Sequence, residues 1–107
     1  MDVIRVFEKQ QFAAEKMKKV GLFDTQNLFC DLYCLEPGQE QKSHTHAHED
    51  KVYFVLEGKV RVRIGGDEKE LSANMLTLAP AGSEHGVANH TNTRSTLLVF
   101  MAPKPQH

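Results

Sequence analysis

Three histidines alternate with small residues in Ser43-His44-Thr45-His46-Ala47-His48, and after three charged residues a dense β-forming run follows, Val52 to Leu56. On an extended strand, side chains two apart leave the same face about 7 Å from one another. His44 and His46 can therefore aim two imidazoles at one point, as a single bound transition metal requires. A third histidine, His85, follows the loop-like run Pro80-Ala-Gly82-Ser-Glu84. A metal held by three imidazoles keeps open positions, which polarise an oxygen of a small ligand or activate water. The rest of the chain has to supply the scaffold that carries His85 to the first pair.

The bulk of the sequence sets the frame for that scaffold. The chain has 107 residues, 40% hydrophobic and 25% charged, with a formal net charge of −1. That length suits one compact core, and the expectation is a single domain over 1–107. The balanced charge argues against nucleic acid or an anionic membrane as partner, since both need a basic face. No apolar run is long enough to cross a bilayer as a helix. The N-terminus, Met1-Asp-Val-Ile-Arg5-Val-Phe-Glu-Lys9, carries too many early charges for a signal peptide, so a cytoplasmic location is expected. Cys30 and Cys34, if on one strand, stand about 13 Å apart and cannot bond to each other. Both are read as reduced, buried small hydrophobes.

The elements are short and mostly extended. Residues 2–19 are read as an N-terminal strand and helix, with Val3 to Phe7 as the strand and Gln10 to Lys19 as the one helix-friendly stretch. Asn27 to Leu35 alternates, Leu28, Cys30, Leu32 and Cys34 on one face and Phe29, Asp31, Tyr33 and Leu35 on the other. Glu36-Pro37-Gly38 forces a turn. Val52 to Leu56 is a strand, Glu57-Gly58 a turn, and Lys59 to Ile64 alternates with Val60, Val62 and Ile64 inward. Gly65-Gly66-Asp67 signals a hairpin. Strands are expected around Glu70 to Ser72, Leu76 to Ala79, Gly86 to His90 and Thr96 to Met101, the last with Phe100 and Met101 in the core. Residues 103–107 read as a frayed tail, with His90 and His107 at the surface. Eight or more short strands between Gly, Pro and Asn turns predict an all-β fold, one antiparallel β-barrel or jelly-roll sandwich with at most one short N-terminal helix.

With both histidine segments in view, the chain resembles the cupin superfamily, in particular its small single-domain, conserved-barrel (cupin type 2) members. That family carries G-x5-H-x-H-x3,4-E-x6-G and G-x5-P-x-G-x2-H-x3-N on facing strands of a jelly roll, also called a double-stranded β-helix. Gly38, His44, His46 and Gly58 match the first motif; Pro80, Gly82, His85 and Asn89 match the second. The resemblance covers about residues 27–102. It implies a metal site on His44, His46 and His85 holding one divalent ion, zinc, nickel, iron or copper.

Two positions depart from the family pattern. Asn74 stands where the second motif has its leading glycine, a tolerable exchange because Asn accepts left-handed backbone. Lys51 fills the carboxylate position of the first motif; a spacing of three from His46 would select Asp50 instead, but leaves one residue too many before Gly58. An ammonium is only a donor and cannot ligate a metal while protonated. Three arrangements follow. The histidines bind metal alone; or Asp50, Glu49 or His48 completes the shell; or the pocket is metal-free and Lys51 holds a substrate anion. Tyr53 shares a face with Lys51 and either lines the pocket or packs in the core.

The fold alone does not fix a reaction. One reading is a metal-dependent enzyme of oxygenase or isomerase type on a small molecule, with no catalytic base identified beyond Glu84 as a weak candidate. The other is a non-catalytic binding or sensor module for a small anion, with Lys51 in the pocket. Sheet faces apolar on both sides, around residues 28–35 and 96–101, predict a homodimer.

Overall fold

Lys59 to Ile64 folds as its alternation requires: Val60 and Val62 are buried and the intervening Arg61 and Arg63 are exposed. The same two-residue period runs through most of the computed structural model, which describes residues 1–105. Nine strands follow in order: β1 (Lys18–Asp24), β2 (Phe29–Leu35), β3 (Glu40–Thr45), β4 (Asp50–Glu57), β5 (Lys59–Ile64), β6 (Asp67–Ser72), β7 (Leu76–Ala79), β8 (Glu84–Ala88) and β9 (Ser95–Ala102). They form two antiparallel sheets, one ordered β1-β2-β9-β4-β7 and the other β3-β8-β5-β6. The chain switches sheet repeatedly, and the result is an antiparallel jelly roll.

The core lies between the sheets. Tyr33 and Leu35 of β2, Tyr53 and Val55 of β4, and Leu97 and Val99 of β9 face Val60 and Val62 of β5, Leu71 of β6 and Val87 of β8. Alternate residues of each strand enter this layer, as sheet-on-sheet packing demands. On β9 the inward residues include Met101, whereas Phe100 turns to the outer face and is only half-buried. Both had been expected in the core.

The N-terminal expectation fails in two places. Val3 to Phe7 forms no strand; Val6–Lys9 is a 3-10 turn, and Phe7 is exposed. Gln10 to Lys19 forms no α-helix. It runs irregularly across the sheet until Lys18 opens β1. A ten-residue isolated helix is marginal, and tertiary bonds hold the segment in another shape. Gln10 Nε2 donates to Thr96 Oγ1 (2.8 Å), Gln39 Nε2 donates to the Ala13 carbonyl (2.6 Å), and Phe12 lies under the Arg94 guanidinium. The segment passes against the outer face of β2, where Cys34 meets Gln11. At the other end Lys104 pairs with Asp24 at 2.7 Å; His107 lies outside the described residues.

Asn74 has a positive φ of 72°, so the exchange at the motif's glycine keeps the left-handed turn. Gly58, between β4 and β5, has φ of 79°, and a Cβ there would stand 2.5 Å from the Arg94 carbonyl oxygen. Strain and clash therefore coincide. Gly58→Ala should lower stability by about 2–4 kcal/mol, seen as a lower urea midpoint at unchanged m-value. An unchanged midpoint would show that the β4–β5 turn can relax.

Candidate metal centre

The pairing of β3 with β8 builds the site. In its register His44 stands opposite His85, and directly paired residues in an antiparallel ladder hold their side chains close. A bulge between Gln41 and His44 shifts the register just before this pair. Gly86 lets the strands approach, because a Cβ there would lie 2.9 Å from the Gln41 carbonyl oxygen. His46 arrives differently from the expectation. β3 ends at Thr45, so His46 comes from the first loop residue and not from a continuing strand. Its carbonyl accepts from the Gly82 N–H at 2.8 Å, which ties the two motif loops together.

Ring centroids lie 4.8 Å apart for His44–His46, 4.5 Å for His44–His85 and 5.5 Å for His46–His85. One nitrogen from each ring falls within 4.8 Å of the others, so the group could hold one metal ion. The opposite nitrogens explain the orientation. His44 Nδ1 lies 2.8 Å from the Lys42 carbonyl, His85 Nδ1 3.1 Å from the Ser83 carbonyl, and His46 Nδ1 3.5 Å from a Glu49 carboxylate oxygen. The two carbonyls can only accept, so Nδ1 of His44 and of His85 carries the proton and their Nε2 presents a lone pair. His85 is fully buried, and its Nε2 has no hydrogen-bond partner. A buried nitrogen of this kind costs free energy unless something binds it. The donor set thus fits a divalent transition metal.

Burial favours the neutral form of two of the rings. Burial pulls the His85 pKa down to about 4 against its bond to the Ser83 carbonyl, with Lys51 adding to the fall. Burial also lowers His44. Neutral imidazole is the form that ligates.

Lys51, on β4, is 1% exposed. Its Nζ donates to Gln41 Oε1 at 2.9 Å and lies 5.2 Å and 5.1 Å from the ring centroids of Tyr33 and Tyr53. Burial draws its pKa from 10.5 to about 7; Lys19 pushes the same way and Asp31 opposes. Tyr53 is fully buried in the core with its ring 6.2 Å from that of His85, and its hydroxyl has no partner. Burial raises both tyrosines, Tyr33 to about 12. A cleft of about 480 Å³ opens beside these groups, lined by Lys19, Asp31, Tyr33, Gln41, His44, His46 and Lys51 among others.

Two candidates fall outside this arrangement. His48 is exposed in the loop beyond β3, where strand parity no longer applies, and it is not in the convergent group. Asp50 is exposed too; its carboxylate accepts from the Ala81 N–H at 2.8 Å and fastens the Pro80–Gly82 loop. Two further residues contribute, one of them among the alternatives the sequence offered and one missed. Glu49, offered as one possible completion of the metal shell, is nine-tenths buried with its carboxylate 3.5 Å from His46 Nδ1 and is not in the convergent group. Gln41 is the other, and nothing in its sequence context marked it.

The fold and site define a class, a double-stranded β-helix barrel with three converging histidines at one cleft. A family model described as a cupin domain matches residues 31–101, and the chain belongs to that family. The crystal structure of TT1209 from Thermus thermophilus superposes with a TM-score of 0.96 at 43% identity, covering 98% of this chain and all of that one. An uncharacterised Klebsiella pneumoniae protein with a double-stranded β-helix domain gives a TM-score of 0.88 at 23% identity, covering 96% and 90% of the two chains. The tetracenomycin polyketide synthase protein TcmJ of Streptomyces glaucescens is 28% identical over 75 residues, 67% of this chain and half the length of that protein.

The depressed Lys51 pKa has a measurable consequence. Below pH 7 folded and unfolded chains both hold the proton, and the burial penalty is full. Between 7 and 10.5 only the unfolded chain holds it, so the Lys51 contribution makes stability climb with pH. In metal-free protein at pH 7, Lys51→Met should therefore be more stable than wild type by roughly 1–4 kcal/mol. Urea unfolding of both proteins should show this gap narrowing toward pH 10; a pH-independent gap would mean that the ammonium is not penalised.

Proposed function

We propose that this protein holds one divalent transition metal ion on His44, His46 and His85 and offers it to a small molecule in the adjoining cleft. The observation that carries this reading is the set of three histidines with one ring nitrogen each within 4.8 Å of the others, together with a buried His85 Nε2 that has no hydrogen-bond partner. A bound ion supplies Lewis acidity at its open positions. The chain's own groups orient the imidazoles through the Lys42 and Ser83 carbonyls and Glu49, while burial favours the neutral form of His44 and His85. Three neutral ligands suit zinc, nickel, copper or iron(II). The reaction class that fits is an oxygenase- or isomerase-type step on a small molecule.

A second reading, non-catalytic capture of a small anion, is favoured by Lys51, a buried donor at the position where the family pattern has a carboxylate. The two readings separate on metal content. Protein purified without an affinity tag should contain close to one equivalent of zinc, nickel, copper or iron by elemental analysis, and His85→Ala should lose it. Absence of metal from both would leave the anion-binding module as the function.

The same proposal extends to assembly. On the outer face of the larger sheet, Val20, Leu32, Leu98, Phe54 and Leu76 align in one row, and Cys30, Phe100, Val52 and Leu78 in the next. Leu76 and Leu78 are 63% and 49% exposed. At about 4.8 Å per strand gap this uncharged face is some 14 Å wide from β2 to β7, and it has no charge to select a different protein. A second copy covers it in a two-fold homodimer. Light scattering at micromolar concentration should give twice the chain mass, and Leu76→Lys should halve it; a monomeric wild type contradicts the assignment. We also infer one domain across 1–107 and, from the two free buried thiols, a reducing cytoplasmic setting.

A further inference from the structure

Lys51, Gln41 and Tyr33 form a hydrogen-bonded chain whose polarity is fixed by its first member. An ammonium only donates, so the Gln41 amide must turn its oxygen toward Lys51. Its NH2 group then faces Tyr33 and donates to the phenolic oxygen at 3.3 Å. Tyr33 is the acceptor in that bond, and its own O–H proton remains to be donated elsewhere. Tyr33, Gln41 and Lys51 all line the cleft. Lys51 has used one of its three N–H groups on Gln41, and two remain.

The charges in the same cleft point the same way. Lys19 and Lys42 line it with Lys51, and Asp31 is its one carboxylate. Lys19 and Lys42 are both exposed, on β1 and β3, but it is Lys19 that lies 5.6 Å from the Tyr33 ring centroid, the ring that Lys51 approaches to 5.2 Å. Around Tyr33, two ammonium groups therefore face one carboxylate, a surplus of one positive charge among groups that can only donate. A monoanion neutralises that surplus, whereas a dianion would leave a negative charge beside Asp31.

We infer that Lys51, Tyr33 and Lys19 form a carboxylate subsite next to the histidine cluster, and that the small molecule taken by this protein is a monocarboxylic acid with a further oxygen to offer the metal. Charge-assisted hydrogen bonds from Lys51 and the Tyr33 hydroxyl hold the carboxylate. The lysine at the position of the family's metal-binding carboxylate thus moves the negative charge from the protein to the ligand. This inference rests on the reading that the cleft takes a small molecule, but the carboxylate contacts themselves do not require the metal.

Isothermal titration calorimetry with pyruvate, pyruvamide and inorganic phosphate tests it, on protein as purified and after stripping with chelator. Pyruvate should bind at least about tenfold more tightly than pyruvamide and than phosphate. Lys51→Met should abolish the preference over pyruvamide, and Tyr33→Phe, which keeps the ring, should weaken pyruvate several-fold. His85→Ala should lose metal and affinity while still preferring pyruvate to pyruvamide, which separates failure of the metal reading from failure of this one. Equal binding of acid and amide, tighter binding of phosphate, no pyruvate binding to wild type at about 10 mM, or an undiminished preference in folded Lys51→Met would each overturn the subsite.

Discussion

The site depends on the antiparallel pairing of β3 with β8. That ladder sets His44 against His85, and it can form as closely as it does because Gly86 has no side chain to hold the strands apart. Backbone carbonyls two residues before each histidine, Lys42 and Ser83, then take the Nδ1 proton. Strand register, ring orientation and tautomer are thus set by main-chain geometry. Only His46, which leaves the strand, needs a side chain, Glu49, for the same purpose. A centre held by the backbone is rigid before anything binds, which is the condition for strong ligation at low reorganisation cost.

Lys51 changes the electrostatics of this frame without disturbing it. Its backbone remains in β4, paired with Met101 and Ala79. Only the charge of the side chain differs from what the family pattern leads one to expect. A carboxylate there would partly neutralise a divalent ion, whereas an ammonium adds to its charge and must be compensated from elsewhere. The flanking Tyr33 and Tyr53 rings and the Gln41 oxygen compensate in part. Cation–π contacts and one neutral hydrogen bond are weaker than a full counter-ion, and the low Lys51 pKa is the measure of what remains uncompensated.

Much of this was legible in the chain, and the rest was hidden for definable reasons. Alternation in Lys59–Ile64 and the Gly and Pro punctuation were enough for an antiparallel barrel or sandwich, and the resemblance carried by the two histidine motifs narrowed it to the jelly roll. The two histidine motifs identified the triad. The N-terminus misled because the helix propensity of Gln10–Lys19 competes with side-chain bonds to Thr96, Ala13 and Arg94 that no local pattern reports. His48 lies beyond Thr45, where the strand ends and its parity with His44 and His46 no longer applies, and Asp50, offered by motif spacing, accepts from the Ala81 N–H instead. Gln41 was invisible for a related reason. Its role depends on a bulge that changes which way its side chain points, and a bulge is a property of pairing, not of composition.

The places where local rules break are also where the chemistry gathers. A lysine is buried at the cleft and β3 carries a bulge there, and the two unpartnered atoms belong to neighbouring buried rings, Tyr53 5.1 Å from Lys51 Nζ and His85 6.2 Å from Tyr53. Elsewhere among the described residues the buried polar groups are satisfied. Asn89 donates to the Leu35 and Thr93 carbonyls and accepts from Thr91, and Ser95 donates to the Lys59 carbonyl. A chain that meets these demands so fully at Asn89 and Ser95 has no folding reason to neglect them at Tyr53 and His85. Unmet hydrogen-bonding capacity confined to one region of the described residues supports the proposal that this region takes a ligand.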